Sequence, residues 1–349
     1  MKTRFETFRD ILLSQNYFKL VCGAGNKDAS WVETLTFVYS MAGALGIDMA
    51  ADDKVVRQAV NGLERAEKYL YDKHRTKMAT RPFLTVSVGM PGDHHVRKAI
   101  IRDNCSACDA CVPVCPTRAI PDNLVIIDDL CIGCGACEAA CHFNAIAYSP
   151  VSHKLEILLP RLLSLGADNV ELHAAVPAVD AFSDEWKAVC KSVPDNYVSL
   201  SIDRNHLSNS ALLERIETAR TIAGERTMIQ ADGVPMGGTG GELSKTLQAV
   251  ACAQQINLMV HFNQLRKKKD RELMILLSGG TNARTRGLAL ETGVIFHGIS
   301  IGTYARTQID PFISAPDFYE NDQLIENAVK AARNLVDLSV SENRNIVPI

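Results

Sequence analysis

The sequence predicts an α/β fold, a (β/α)8 TIM-like barrel interrupted after its third strand by a small cysteine-rich domain. Two patterns predict it. Short apolar, β-branched runs alternate eight times with amphipathic helical stretches, and eight of the eleven cysteines fall within 37 residues just after the third run. Alternating strand and helix signals argue for βα units on a parallel sheet, and eight units fill the roughly 250 residues of a closed barrel once the cysteine segment is set aside. A doubly wound open sheet is the alternative. On this reading residues 1–95 and 150–349 build the barrel and 96–149 the insert.

The expected strands, in order, are FKLVCG (18–23), GIDMAA (46–51), FLTVSVG (83–89), NVELHAAV (169–176), YVSLSID (197–203), TMIQAD (227–232), LMILLSG (273–279) and FHGISIG (296–302). Helical periodicity follows in SWVETLTFVYSMAGALG, DKVVRQAVNGLERAEKYL, KLEILLPRLLSLGA, SALLERIETARTIAG and GELSKTLQAVACAQQINLMVHF, and NDQLIENAVKAARNLVDLSV closes the series. In a barrel every loop after a strand emerges at the C-terminal face, so an insert after strand three overhangs the mouth.

Within the insert, CSACDACVPVCPTRAI (105–120) lies over CIGCGACEAACHFNAI (131–146) with a period of 26. Each half reads C-x2-C-x2-C-x3-C, the spacing of ferredoxins that carry two [4Fe–4S] clusters, in which the fourth cysteine of each run ligates the other cluster. Two-residue spacings let a tight turn aim three thiolates at one cluster, and three further residues carry the fourth to its neighbour. The expected ligands are therefore Cys105, Cys108, Cys111 and Cys141 for one cluster and Cys131, Cys134, Cys137 and Cys115 for the other. Ala107, Ala110, Gly133, Gly135 and Ala136 let backbone amides come close to the sulfides. Pro116 follows the first run, and His142 takes the equivalent place in the second. A zinc site and redox disulfides are the alternatives, although zinc motifs usually show two separated C-x2-C pairs.

Strand alternation selects candidates at the barrel mouth. Outward-facing Val170 and Leu172 turn Glu171 and His173 inward, and the same parity turns Asp48 and Asp52 inward, while Asp203 and Asp232 end their strands. These six are the candidate catalytic residues, with structural ion pairing to Lys19 as the competing explanation. LSGGTNART (277–285) and SIGTYART (300–307) follow the last two strands, where barrels often bind phosphate. Gly279, Gly280, Gly302 and Thr303 are the expected contacts of a phosphorylated ligand, FMN being the natural candidate beside a cluster. The alternative is a pair of tight strand-to-helix turns. ADGVPMGGTGGE (231–242) reads as a mouth loop, RKKKDR (266–271) as a solvated helix end, and Cys190 and Cys252 as buried apolar thiols.

A formal charge of −3 with 47% apolar residues gives no general attraction for nucleic acid or anionic membrane. Charge interrupts MKTRFETFRDILLSQNYFKL too often for a signal peptide, and no apolar run approaches the roughly 20 residues that span a bilayer. A cytoplasmic protein follows, where thiols stay reduced.

Taken in order, YFKLVCGAG, MAGALGIDMAAD, the paired cysteine runs, QADGVPMGGTGG, LSGGTN and ISIGTYAR resemble the light-dependent period protein A family over residues 17–307. The resemblance implies a cytoplasmic iron–sulfur protein that reports cellular redox state, in phototrophs to the circadian clock. It carries the eight cysteines over as cluster ligands, and the regular first run implies two full clusters. No residue here encodes a clock partner. The expected function is electron transfer to, or redox sensing for, a partner protein. The alternatives are an oxidoreductase whose clusters feed a flavin or phosphorylated ligand in the barrel, and a scaffold stabilised by its clusters.

Overall fold

The computed structural model of the chain describes residues 2–23, 25–93, 97–150, 154–176, 181–234, 242–262 and 272–341. Helix α1 (Arg4–Leu13) precedes β1 (Tyr17–Val21), α2 (Ala29–Met41), β2 (Gly46–Ala50), α3 (Asp53–His74) and β3 (Phe83–Gly89). The insert follows, with β4 (Arg97–Ile101), α4 (Ala136–Ala139) and β5 (Ile146–Pro150). The barrel resumes with α5 (Leu155–Ser164), β6 (Asn169–His173), α6 (Phe182–Ser192), β7 (Val198–Asp203), α7 (Asn209–Ala223), β8 (Thr227–Asp232) and α8 (Glu242–His261). It closes with β9 (Met274–Ser278), α9 (Thr285–Glu291), β10 (Gly298–Ile301), α10 (Thr303–Ile313) and α11 (Asp322–Ser339).

Eight parallel strands form a closed barrel in the order β1-β10-β9-β8-β7-β6-β3-β2, so the (β/α)8 expectation holds and the open-sheet alternative does not. Closure pairs β1 with β10 in the register Tyr17 to Gly298 and Lys19 to Ser300. The strands alternate on a period of two. Their outward residues, among them Phe18, Leu20, Ile47, Met49, Val86, Val170, Leu172, Leu200, Ile229, Leu277 and Ile299, are fully or almost fully buried under the helices. Asp28, Asp52, Ser208 and Asn321 each cap the helix that follows through a side-chain oxygen.

The lower end of the barrel is plugged. Thr3 and Glu6 form a capping box that starts α1, whose apolar side carries Phe8 and Leu12 into the barrel floor. Phe8 stacks on Phe83 at 4.2 Å and meets Tyr17 at 4.8 Å, with Tyr197, Met228, Met274 and Leu276 completing the cluster. Arg4 lies over the Phe83 ring at 3.6 Å and pairs with Asp168. The floor is therefore sealed by aromatics, which leaves the C-terminal end as the face that presents chemistry. Among the described residues no helix is long and apolar enough to cross a membrane.

Candidate metal centre

Strands β4 and β5 form a two-stranded antiparallel sheet with Ile101 opposite Ile146 and Ala99 opposite Tyr148, and the cysteine runs lie between them. The 26-residue repeat extends to the backbone. Left-handed φ recurs at Ala107 (53°) and Gly133 (66°), at Asp109 (57°) and Gly135 (87°), and at Arg118 (54°) and Asn144 (49°). Left-handed residues paired with right-handed neighbours form concavities of backbone N–H groups that bind anions and iron–sulfur centres, and here the Ala107 amide donates to Cys105 Sγ at 3.4 Å. Glycine adopts this geometry freely in the second run. In the first, Ala107 and Asp109 each carry a conformational cost on the order of 1–2 kcal/mol. The repeat also conserves a hydrogen bond to sulfur, with the Ala119 and Ala145 amides donating to Cys115 Sγ and Cys141 Sγ, each at 3.2 Å.

Two cavities result. One, of about 330 Å³, is lined by Cys105, Cys108, Cys111 and Cys141, with Ile101, Leu124, Phe143 and Ile146 as apolar wall. The other, of about 340 Å³, is lined by Cys115, Cys131, Cys134 and Cys137, with Ile120, Ile126, Ile132 and Tyr148 around them. Each run lends its fourth cysteine to the cavity of the other. The structure pairs none of the eleven cysteines in a disulfide. Among the described residues no three His, Cys, Asp or Glu side chains are arranged to hold a single metal ion. Four thiols spread around a cavity, rather than converging on a point, suit a cubane whose irons each take one thiolate and do not suit zinc.

The cavities differ in position. The first faces outward: Cys108 is exposed, and Phe143 is 49% exposed at its rim. The second has the more buried lining, with Cys131, Cys137, Ile120 and Ile132 buried, and it rests on the loop after β1. A Cβ on Gly25 would lie 2.8 Å from the Ile132 backbone, and the Lys27 amide donates to the Asp129 carbonyl at 3.0 Å. Lys98 Nζ spans the junction, donating to the carbonyls of Gly25, Asp128 and Cys131 at 3.2, 2.7 and 2.5 Å. Arg97 Nε donates to the Gly133 carbonyl at 3.0 Å, and the Ala99 amide donates to Cys131 Sγ at 3.4 Å. Sequence reading missed Arg97 and Lys98. The signal was present in two adjacent cations opening a strand whose alternate residues must turn toward the cysteine loops.

Below the insert the barrel interior holds a connected polar network. Lys19 Nζ contacts Asp48 Oδ2 at 2.9 Å and Glu171 Oε2 at 2.5 Å, with all three residues at most 1% exposed. The Ser87 hydroxyl donates to Asp48, Ser199 donates to Glu171, Gln230 Nε2 donates to Glu171 Oε1 at 2.7 Å, and Ser300 donates to Gln230. His173 Nε2 lies 3.4 Å from Glu171 Oε1. Burial pushes the Glu171 carboxyl up to about 7 against the opposing pull of Lys19. Burial alone would pull Lys19 down, but Asp48 and Glu171 together hold its pKa above the ordinary lysine value.

Of the six carboxylate and histidine candidates, the structure thus joins Asp48, Glu171 and His173 around Lys19. Asp232 accepts from the Ser201 hydroxyl. Asp203 closes a turn, accepting from the Asn205 and His206 amides at 2.8 Å and pairing with His206 Nδ1. Asp52 corrects the expectation. It does not point into the barrel but caps α3 at the Lys54 and Val55 amides and pairs with Lys27 at 3.5 Å, because β2 ends at Ala50 and strand parity does not extend past a strand end.

The glycines after the last strands are in close contact with protein. Gly279 (φ 71°) and Gly280 (φ 76°) have no room for a side chain, since a Cβ would meet the Gly233 amide at 2.6 Å and Lys245 Cβ at 2.8 Å. The Val234 amide donates to the Gly279 carbonyl at 3.3 Å, so Gly279 packs on the loop after β8 and Gly280 on α8. Gly302 and Thr303 open α10, where Arg306 Nη2 donates to Thr303 Oγ1 at 2.9 Å. Cys22 is buried just beyond β1, and burial pushes its thiol up to about 12 against Arg306. Cys190 and Cys252 are buried as the sequence suggests. Residues 235–241 of the glycine-rich mouth loop and the basic run 266–271 lie outside the described residues.

Comparison with known proteins agrees with this geometry. The 4Fe-4S binding domain matches residues 98–120 and again 124–147. The light dependent period A C-terminal domain matches residues 161–338. Light dependent period A of Synechococcus elongatus is 30% identical over 335 residues, covering 86% of this chain and 83% of its own. Similar solved structures include a putative fructose-1,6-biphosphate aldolase from Coccidioides immitis (10% identity, TM-score 0.49, 95% of each chain). Another is a putative deoxyribose-phosphate aldolase from Toxoplasma gondii ME49 (9% identity, TM-score 0.45, 95% of this chain and 98% of that one). Neither likeness says anything about activity. With a [4Fe–4S] binding insert and a relative matched along most of both chains, the protein belongs to the light dependent period A family of iron–sulfur proteins.

Proposed function

We propose that the protein carries two [4Fe–4S] clusters and works as an electron-transfer or redox-sensing protein for a partner protein in the cytoplasm. The observation that carries this reading is the pair of four-cysteine cavities, one opening to solvent and the other resting on the barrel mouth. When bound, the clusters supply one-electron storage. The chain's own residues do the rest. Cys105, Cys108, Cys111 and Cys141 hold the outer centre, where exposed Cys108 and Phe143 leave a short approach for a partner. Cys115, Cys131, Cys134 and Cys137 hold the inner one, and Ile120, Ile126 and Ile132 keep water from its sulfurs. Cys22, Cys190 and Cys252, the three cysteines outside the cavities, form no disulfide, which suits a reducing compartment.

Potentiometry followed by electron paramagnetic resonance on anaerobically purified protein tests the reading. Two reversible one-electron waves within the physiological range are the expected result, and clusters that cannot be reduced without being destroyed would refute it.

A second reading, an oxidoreductase with FMN or another phosphorylated ligand at the mouth, draws support from the Arg306 guanidinium beside Thr303 at the start of α10, where an anion would be favoured. The packing of Gly279 and Gly280 weighs against it. Mass spectrometry of small molecules released from the denatured protein separates the two. Near-stoichiometric FMN supports the enzyme, and its absence leaves the clusters as the redox centres.

A further inference from the structure

The two cluster cavities are related by the repeat, yet their charged surroundings are not. Shifted by 26 residues, Arg97 falls on Asn123 and Lys98 on Leu124. Leu124 is part of the apolar wall of the outer cavity, whereas Lys98 brings a cation to the loop of the inner one. Three carbonyls accept from Lys98 Nζ, which matches the three donors of an ammonium and exceeds the two of a neutral amine. One of those carbonyls belongs to Cys131, whose sulfur also accepts from the Ala99 amide. The other charged groups near Lys98 are Lys27, Asp128 and Asp129, with Arg97 beside it in the chain and on the Gly133 carbonyl of the same loop; both aspartates are exposed and therefore screened by water.

We infer that Lys98 is a positioning residue that raises the reduction potential of the inner cluster and fixes that cluster to the barrel mouth. The inference rests on the two-cluster reading above. Each reduction takes one electron from an external one-electron reductant, makes and breaks no bond in the protein, and adds one negative charge to the cavity. Where Cys131 and Cys137 are buried, that added charge is less well solvated, and a fixed ammonium beside the Cys131 loop offsets the cost. The outer cavity faces water and has a leucine at the equivalent place. The carbonyl of Gly25 adds a mechanical link, because the same ammonium that faces the cluster loop holds the loop leaving β1.

The test is potentiometry of Lys98→Met, Lys98→Gln and Lys98→Arg, with iron content measured on each. Lys98→Met is expected to move one of the two waves to more negative potential and leave the other in place, while Lys98→Arg keeps both. If Lys98→Met fails to load the inner cluster, Lys98→Gln, which retains hydrogen-bond donors without the charge, is expected to show the same one-wave shift. Unmoved waves in the neutral variants would overturn the inference, as would equal shifts in the arginine and methionine variants or loss of the inner cluster from all three. A wild-type protein without two waves would instead overturn the two-cluster reading itself.

Discussion

Lys19 sits in the middle of the barrel with an aspartate and a glutamate on its ammonium and no access to solvent. Removing one partner of such a group leaves uncompensated charge in a low-dielectric interior. Lys19→Met is therefore expected to destabilise the fold by about 3–5 kcal/mol, read as a lowered unfolding midpoint. Glu171 adds a pH dependence. Its carboxyl, raised by burial to about 7, holds its proton more tightly in the fold than in the unfolded chain. That stabilisation is complete below the ordinary carboxylate range and is lost as pH rises toward 7. Wild-type protein should lose thermal stability relative to Glu171→Gln as pH rises from about 5 to about 7, and parallel profiles would show that Glu171 titrates normally. The inward turn of Glu171, His173 and Asp48 was legible because apolar neighbours fix the parity of each strand. Their assembly around Lys19 was only half legible, since alternation shows which side chains share the lumen and not which ones touch. Ser87, Ser199, Gln230 and Ser300 went unnoticed because serine and glutamine inside a strand carry no charge signal.

Elements show the same division. All eight barrel strands could be read from apolar runs, because a strand covered by helices must be apolar on its outer face. Helix α1 was not recognised, although Thr3 and Glu6 with Phe5, Phe8 and Leu12 carry a capping box and helical spacing. Its role as a plug depends on Tyr17, Phe83 and Tyr197, of which the last two are far away in the chain. The glycines after β9 suggested an anion site, but chain order does not reveal that the β8 loop packs against them. Gly25 is a contact of the same kind between barrel and insert. Gly25→Ala drives a methyl group against the Ile132 backbone, so the loop carrying Cys131 must shift. The expected outcome is faster loss of iron from one cluster in air, with far-UV circular dichroism of the barrel unchanged. Equal retention of both clusters would show that the junction does not hold the inner one.

At the scale of the molecule, the chain places a two-cavity insert on the C-terminal face of a barrel whose floor is sealed by α1 and whose interior holds an ion network. The outer cavity meets solvent and the inner one meets the barrel, so the two cavities run from surface to mouth. The exchange of fourth cysteines between the runs was legible from their spacing, and the insert's place over the mouth from its position after β3, whereas which cavity lies outermost was not. The charge difference between the cavities was not, since it depends on where Lys98 folds. The central claim is that two clusters exist and that each draws its fourth ligand from the other run. Iron content of two double variants tests it most directly. Cys115→Ala with Cys131→Ala removes two ligands of one cluster and should leave roughly four irons per chain, whereas Cys105→Ala with Cys115→Ala cripples both clusters and should leave almost none. The reverse pattern, with iron retained by the second variant and lost from the first, would mean that each run holds its own cluster and would contradict the account.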